Sequence, residues 1–350
     1  MMKLVRVRLN QFLETWRSEG PSSVLKKIFF LNKILVIGAS GQIGTELTLA
    51  LRQRYGGEMV IAADLKREAD LLKGSGPFLP LDIMDKEILR VQVRRHEIKT
   101  IYLLVAMLSA AGEKNPMMAW HLNMQSLIHT LEVAREEGVK KVFWPSSIAV
   151  FGAEAPKENC PQDAYSAPST VYGISKLAGE QWCHYYFHRY GVDVRSIRYP
   201  GLISYKTLPG GGTTDYAIEI FHAAIRGEAY SCFLRSDKRL PMMYMDDAVR
   251  ATIELMEAPE SVISVRTAYN LAGISFTPAE IAREIKQLIP GFSIVYEPDF
   301  RQAIADSWPE SIDDRIANRD WGWKPVFSLK KMTEEMTRHI SPGLAISIKR

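Results

Sequence analysis

From Lys33 onward, short apolar runs of strand length alternate with longer stretches in which apolar residues recur every three or four positions. That rhythm predicts βαβ units around a buried parallel sheet, since a strand covered by helices on both faces is apolar along its whole length. The runs KILVI (Lys33–Ile37), MVIAA (59–63), TIYLLVA (100–106), KVFWP (141–145) and VDVRSIRY (192–199) are the expected strands. Helices are expected near 42–54, 85–96 and 117–137, and in the last Met124, Leu127, Ile128, Leu131 and Ala134 form one apolar stripe. After Gly201 the pattern changes to a Gly/Thr-rich loop, a helix from about Asp215 and shorter mixed elements, with further helical spacing over 246–257 and 278–289. The expected class is α/β: a doubly wound parallel sheet over 33–200 and a smaller C-terminal lobe over 201–350, from which a segment near 240–258 returns to the main sheet. An N-terminal extension, 1–32, precedes the first strand.

Composition narrows the class. The 350 residues are 47% hydrophobic and 24% charged, which fits a globular chain with room for two lobes and excludes disordered and collagen-like classes. A net charge of +4 and a pI near 8.8 are mildly basic, and no Lys/Arg stripe interleaved with aromatics is present, so nucleic acid is not an expected partner. Cys160, Cys183 and Cys232 lack CxxC or Cys/His ligand spacing; neither a disulfide framework nor structural zinc fits, and a reducing, cytoplasmic setting is expected. In the extension, Leu9, Phe12, Leu13 and Trp16 recur at helical spacing, while Lys3, Arg6, Arg8 and Arg17 face only Glu14 and Glu19. No secretory signal or transmembrane run is present in the sequence, and a mitochondrial matrix-targeting peptide is the alternative reading of this segment.

The string GASGQIG sets Gly38, Gly41 and Gly44, with Gln42 and Ile43 among them, between the first strand and the first helix. Glycines so spaced permit a sharp turn, close approach of a pyrophosphate and tight helix packing, while the helix N-terminus supplies amide donors and positive dipole. In this context the motif reads as the dinucleotide-binding turn of a Rossmann sheet rather than an ordinary βα turn, and no Lys-Ser/Thr pair follows to make it a P-loop. Asp64 ends the second strand about 20 residues beyond the last glycine, where a carboxylate accepts from the adenosine ribose and repels a 2′-phosphate, favouring NAD over NADP. A turn cap is its plainer role, and Lys66 and Arg67 stand nearby. Asp82 and Ile83 are taken to end the third strand and to border adenine.

The sharpest chemistry lies further on: Ser147 after the fifth strand, then Tyr172 and Lys176 in YGISK, whose spacing of four puts both on one helix face. A cation about 4 Å from a phenol at an effective dielectric of about 20 contributes roughly 4 kcal/mol, or about three pKa units, which brings a tyrosinate within reach of neutral pH. Such a phenolate is a general base for an alcohol, with Ser147 holding the substrate oxygen. Taken singly, Lys176 pairing with Glu180, Tyr172 as a half-buried aromatic and Ser147 as a strand-end turn are each ordinary; together after a GxxGxxG turn they point to catalysis.

At these residues the sequence resembles the extended short-chain dehydrogenase/reductase superfamily, which also holds nucleotide-sugar epimerases and dehydratases. The likeness runs from Lys33 to about Met336. Within that superfamily it is similar to the short-chain-type L-threonine 3-dehydrogenases, on the strings LSAAGEKNP (108–116), PSSIAVFG (145–152), RYPGLISY (198–205), PGGGTTDYA (209–217), LPMMYMDDA (240–248) and SWPESIDD (307–314). The resemblance implies a catalytic set of Ser147, Tyr172 and Lys176, an amino-acid pocket lined by Ser109, Gly112 and Thr213, and a path for NAD along Asp64, Asp82, Leu104, Ala106, Tyr199, Gly201 and Leu202. It implies oxidation of L-threonine to 2-amino-3-ketobutyrate with formation of NADH, and 2-amino-3-ketobutyrate CoA ligase as a functional partner. The alternative is a nucleotide-sugar 4-epimerase or dehydratase, which needs a larger cleft and cations for a diphosphate. Ser147 stands where some relatives carry Thr, which preserves the hydroxyl.

Several residues keep two readings. Gly210 to Thr214 precede a helix, so their amides and the hydroxyls of Thr213 and Thr214 can receive a substrate carboxylate, or the loop is flexible and Asp215 caps the helix. Trp308 either closes the pocket or belongs to the core. Asn123 either extends a water relay to Lys176 or bonds local backbone. Trp182, Tyr185, Tyr186, Phe187 and Tyr190 spread beyond one stripe of the helix over 169–190, which predicts a two-fold homodimer built partly on that helix.

Overall fold

The alternation within the first strand sets the architecture. In the computed structural model, which describes residues 32–207 and 210–340, strand β1 (Lys33–Ile37) sends Ile34 and Val36 into one core and Leu35 and Ile37 into another. The sheet is therefore covered on both faces. β1 pairs in parallel with β2 (Val60–Asp64) and β4 (Ile98–Leu103). With β3 (Phe78–Pro80), β5 (Lys141–Phe143) and β7 (Asp193–Arg195) they form a six-stranded sheet in the order β3-β2-β1-β4-β5-β7. Strand succession reverses between β1 and β4, which opens a crevice at the C-terminal ends of those strands. The targeting reading of the N-terminal extension lies outside the described residues.

Helix α1 (Gln42–Tyr55) follows β1, α2 (Lys86–Arg95) precedes β4, and the single turn α3 (Ser109–Gly112) and the long α4 (Pro116–Glu137) lead to β5. Proline at its first turn starts α4 and Gly138, in the left-handed region, stops it. Its buried face carries Met124, Leu127, Leu131 and Ala134, with Ile128 half-buried. Helix α5 (Val171–Tyr190) starts at Thr170, whose hydroxyl accepts from the Gly173 N–H at 3.0 Å.

The run expected as one strand over 192–199 serves two sheets. β7 stays in the main sheet, whereas β8 (Ile197–Tyr199) pairs with β6 (Ser146–Ser147) and β12 (Tyr269–Asn270). The switch falls at Ser196: the Arg195 carbonyl accepts from Trp144 N–H at 3.1 Å, and the Ser196 carbonyl accepts from Tyr269 N–H at 2.9 Å. An apolar run carries no record of which neighbour each carbonyl finds. Other ends also move: the fourth strand stops at Leu103, the fifth at Phe143, and the third at Pro80, so Asp82 and Ile83 lie in the turn beyond it.

In the second lobe β9 (Gly201–Ile203) runs parallel to β11 (Leu240–Tyr244), which pairs antiparallel with β13 (Ile274–Phe276), and β10 (Tyr230–Cys232) pairs with β14 (Ile294–Tyr296). Helices α6 (Tyr216–Ile225) and α8 (Pro278–Leu288) surround a core that includes Phe221, Phe276, Ile281 and Met332. Helix α7 (Met245–Glu257) packs instead against α1 and joins the core of the main sheet through Met245, Ala248 and Val249. The second core also takes in Ile148 to Phe151 and the ring of Tyr172, so the lobes share side chains at the segment expected to do chemistry. Among the described residues no helix is long and apolar enough to cross a membrane.

Candidate active site

The crevice between β1 and β4 begins at the glycine turn. Gly38 takes φ 84, in the left-handed region that glycine enters without strain. A Cβ on Gly44 would lie 2.1 Å from the Gly38 carbonyl oxygen, so any side chain there would push α1 off the turn. Gly41 is the N-cap and no side chain caps the helix, which leaves its first amides facing the crevice. The Gln42 side-chain nitrogen is buried without a hydrogen-bond partner, and Gln42 and Ile43 line the adjoining cavity. Unspent donors at a helix N-terminus fit the pyrophosphate and amide groups of a dinucleotide.

At the tip of β2 the Asp64 carboxylate accepts from Ser40 N–H at 2.9 Å and from Lys66 N–H at 2.8 Å. It ties the glycine turn to the second strand and fills the expected cap role at the end of β2. Asp82 caps a turn by accepting from Met84 N–H at 2.9 Å; it is exposed and Ile83 is buried. Leu104, Ala106, Tyr199, Gly201 and Leu202 line one cavity with Ser147, Tyr172 and Lys176. The Tyr199 hydroxyl itself turns to Thr252.

That cavity, about 140 Å³, brings Ser147, Tyr172 and Lys176 together with Ser109, Thr213 and Thr214. Ser147 lies close enough to the Tyr172 phenol to act on it and lower its pKa. Ser147 also accepts from Ala149 N–H at 3.2 Å, which fixes its rotamer at the end of β6. Lys176 is 2% exposed; its Nζ donates to the Pro145 carbonyl at 2.6 Å and lies 4.4 Å from the Trp144 ring centroid and 5.5 Å from that of Tyr172. Burial pushes the Tyr172 phenol up to about 12, against a lowering by Ser147, and pushes Lys176 down to about 7. Desolvation of both partners therefore outweighs the Coulombic lowering of the phenol expected from the spacing. Glu180 does not pair with Lys176; it pairs with Arg198 at 2.8 Å.

The substrate side differs from expectation at two points. Gly112 is absent from the cavity wall: it is packed between α4 and α5, where an added Cβ would meet Ala119 at 3.3 Å and Val171 at 3.4 Å. The Gly211 and Gly212 amides, expected to receive a substrate carboxylate, donate to Asp215 Oδ2 at 2.8 and 2.7 Å. Thr213 and Ser109 hydroxyls meet at 3.2 Å and tie the loop to α3. Asp215, 9% exposed, lines the cavity, and burial pushes its carboxyl up to about 6. Its signal in the sequence was the glycines before it, which need an acceptor when their amides are buried.

Trp308 serves both expected roles, in the core of the second lobe and in the cavity wall. Asn123 is a local backbone partner: it accepts from Met107 N–H at 2.8 Å and donates to the Met107 carbonyl and to Ser175 Oγ. It thereby locks the loop after β4 onto α5 without reaching Lys176.

The profile of the NAD dependent epimerase/dehydratase family matches residues 34–272. The chain belongs to that family. NAD is accordingly its cofactor, in agreement with the free helix amides and the carboxylate at β2. A relative described as an uncharacterised epimerase/dehydratase of Staphylococcus haemolyticus is 46% identical over 89% of this chain and 98% of its own length. Among solved structures of family members, a GalE-like L-threonine dehydrogenase from Cupriavidus necator in its holo form is 56% identical, with TM-score 0.85, over 88% of this chain and 99% of that one. A monomeric L-threonine 3-dehydrogenase from a metagenome is 48% identical, with TM-score 0.85, over 89% and 99%.

Proposed function

We propose that this protein is an L-threonine 3-dehydrogenase, oxidising the side-chain hydroxyl of L-threonine to give 2-amino-3-ketobutyrate. The observation that carries the reading is the lining of the cavity: Ser147 and Tyr172 share it with Thr213, Thr214 and Asp215, and among the described residues that line it Lys176 is the one cation. A nucleotide sugar would bring a diphosphate that wants cations, so this lining favours an amino acid. The family members named above as L-threonine dehydrogenases support the same substrate.

NAD supplies the hydride acceptor and, when oxidised, a positive ring that favours a phenolate beside it. Tyr172 accepts the hydroxyl proton as C3 of threonine gives up hydride, and Ser147 steadies the oxygen as carbonyl character grows. Lys176, fixed by the Pro145 carbonyl, favours the same phenolate. Asp215 offers its carboxylate to the substrate ammonium, and Thr214 offers a hydroxyl to the substrate carboxylate. The product, a β-keto acid, suits 2-amino-3-ketobutyrate CoA ligase as the next enzyme. Purified protein with NAD should form NADH from L-threonine and much more slowly from D-threonine or L-serine; conversion of UDP-glucose with no turnover of threonine would reject the reading in favour of the epimerase one.

A homodimer is part of this proposal. Trp182, Tyr185 and Tyr190 of α5 are exposed by 38, 46 and 42%, and Trp120 and Met117 of α4 add to the apolar surface. Light scattering at micromolar concentration should give twice the chain mass; a single chain mass would align this protein with the monomeric family member instead. The cysteines are buried thiols, which fits a cytoplasmic location.

A further inference from the structure

Behind the catalytic trio lies a buried ionic cluster that the chemistry above does not use. Glu180 sits one helical turn after Lys176 on α5 and has no exposed surface. Its carboxylate takes a two-pronged grip from Arg198, Nε to Oε1 at 2.9 Å and Nη2 to Oε2 at 2.8 Å, and Oε1 also accepts from Ser146 Oγ at 2.5 Å. Ser146 is the residue before Ser147, and both belong to β6. In the small sheet, Ser146 stands beside Arg198 and Arg198 beside Asn270, forming one row across three strands. Arg198 closes that row by donating to Asn270 Oδ1 at 3.1 Å and to the Gln162 carbonyl at 2.9 Å. The pleat turns Ser147 and Tyr199, the next row, the other way.

We propose that Glu180 is a positioning residue for the reaction: clamped by Arg198, it fixes β6 through Ser146 so that Ser147 meets Tyr172, and it places a buried negative charge one turn from the ammonium of Lys176. A bidentate pair this deeply buried costs desolvation, and a well-packed apolar pair would serve stability as well or better. Its location, touching the strand of one catalytic residue and the helix of two others, gives it a use that stability does not. The groups bearing on Lys176 are few. From α5 itself come Tyr172, Glu180 and Cys183; the β5–β6 segment presents the Trp144 ring and the Pro145 carbonyl; β8 brings Arg198, already bound to Glu180; and α4 brings uncharged Asn123 to Ser175. Burial holds the amine down at about 7, against raising contributions from Cys183 and then Glu180, and Glu180 is the carboxylate among them.

The proposal rests on the reading of Ser147, Tyr172 and Lys176 as the reacting trio, and its test separates the two. In ligand-free protein with isotope-labelled lysine, the resonance of Lys176, assigned by its loss in Lys176→Met, should titrate about one pH unit lower in Glu180→Gln than in the wild type, the order expected for a buried charge one turn away. With substrates, Glu180→Gln should lose about tenfold or more in kcat, keep KM for NAD and for L-threonine within about twofold, and show its alkaline limb shifted to lower pH by the same amount, since the ammonium is then lost earlier. Ser146→Ala, which removes only the anchor, should lose about threefold in kcat with the limb unmoved. If Glu180→Gln fails to fold, Glu180→Gln/Arg198→Met, which leaves no lone buried charge, should still lose kcat at constant KM. Wild-type kcat in Ser146→Ala and in the folded Glu180 variant, or an unmoved Lys176 titration in Glu180→Gln, overturns the proposal. A wild-type protein inert toward threonine but with the expected titration shift would refute the substrate reading alone.

Discussion

Two glycine-rich turns frame the candidate active site, and they treat their amides in opposite ways. At 38–44 the helix that follows has no side-chain cap, so its N-terminal amides face the crevice. At 210–215 the amides of Gly211 and Gly212 are spent on the chain's own Asp215. The first turn keeps donors of the kind that suit a phosphate. The second is a self-satisfied loop that presents a carboxylate. Glycine before a helix does not by itself specify an anion site; what decides is whether a residue within reach supplies the acceptor first.

The largest effect should come from the group standing between the turns. Tyr172→Phe removes the proton acceptor and should lower kcat by about 10²–10⁴ with NAD affinity unchanged, as read by stopped-flow turnover and calorimetric titration. Turnover near that of the wild type would remove the phenol from the mechanism. Next comes the contrast between glycines. Gly44→Ala forces a Cβ to 2.1 Å from a backbone oxygen. It should cost about 1–3 kcal/mol or more in stability and weaken NAD binding. Gly210→Ala meets only the end of Leu108, at 3.0 Å, and should change stability by less than about 1 kcal/mol. Equal losses in the two variants would erase the distinction drawn between the turns.

The most diagnostic change is Asp215→Asn. It retains an acceptor for the glycine amides but removes the charge, so KM for L-threonine should rise about tenfold while NAD affinity holds. Because burial raises the Asp215 carboxyl to about 6, the ionised form needed for an ammonium accumulates only above that pH. KM in the wild type should fall as pH rises through about 6 and then level, and the variant should lose this dependence. The linkage to stability runs the other way: a raised carboxyl pKa favours the folded state most below the ordinary value of 3.8, and the benefit is lost as pH rises through about 6. At neutral pH the variant should therefore melt no lower than the wild type, as calorimetry would check.

Much of the main sheet was legible because its signals are local. KILVI is a strand within its expected bounds, and the helices at 42, 85 and 117 begin within a residue of expectation, since apolar period, N-terminal Pro and flanking Gly act over a few residues. The spacing of four also puts Tyr172 and Lys176 into one cavity wall. What local pattern missed depended on partners far along the chain: the split at Ser196, the pairing of Glu180 with Arg198 rather than Lys176, and the placement of Gly112 between helices.

By itself the sequence determined the α/β class, the glycine turn between β1 and α1 and the common helix face of Tyr172 and Lys176, because spacing along a strand or helix fixes which residues share a face. Only the tertiary structure decided the protonation balance of the site, since Lys176 and Tyr172 lose water through packing by residues remote in sequence, and desolvation is a property of the enclosure. It likewise decided which buried donors were spent and which were left for a ligand, because each hydrogen bond is settled by competition among groups brought together from distant parts of the chain.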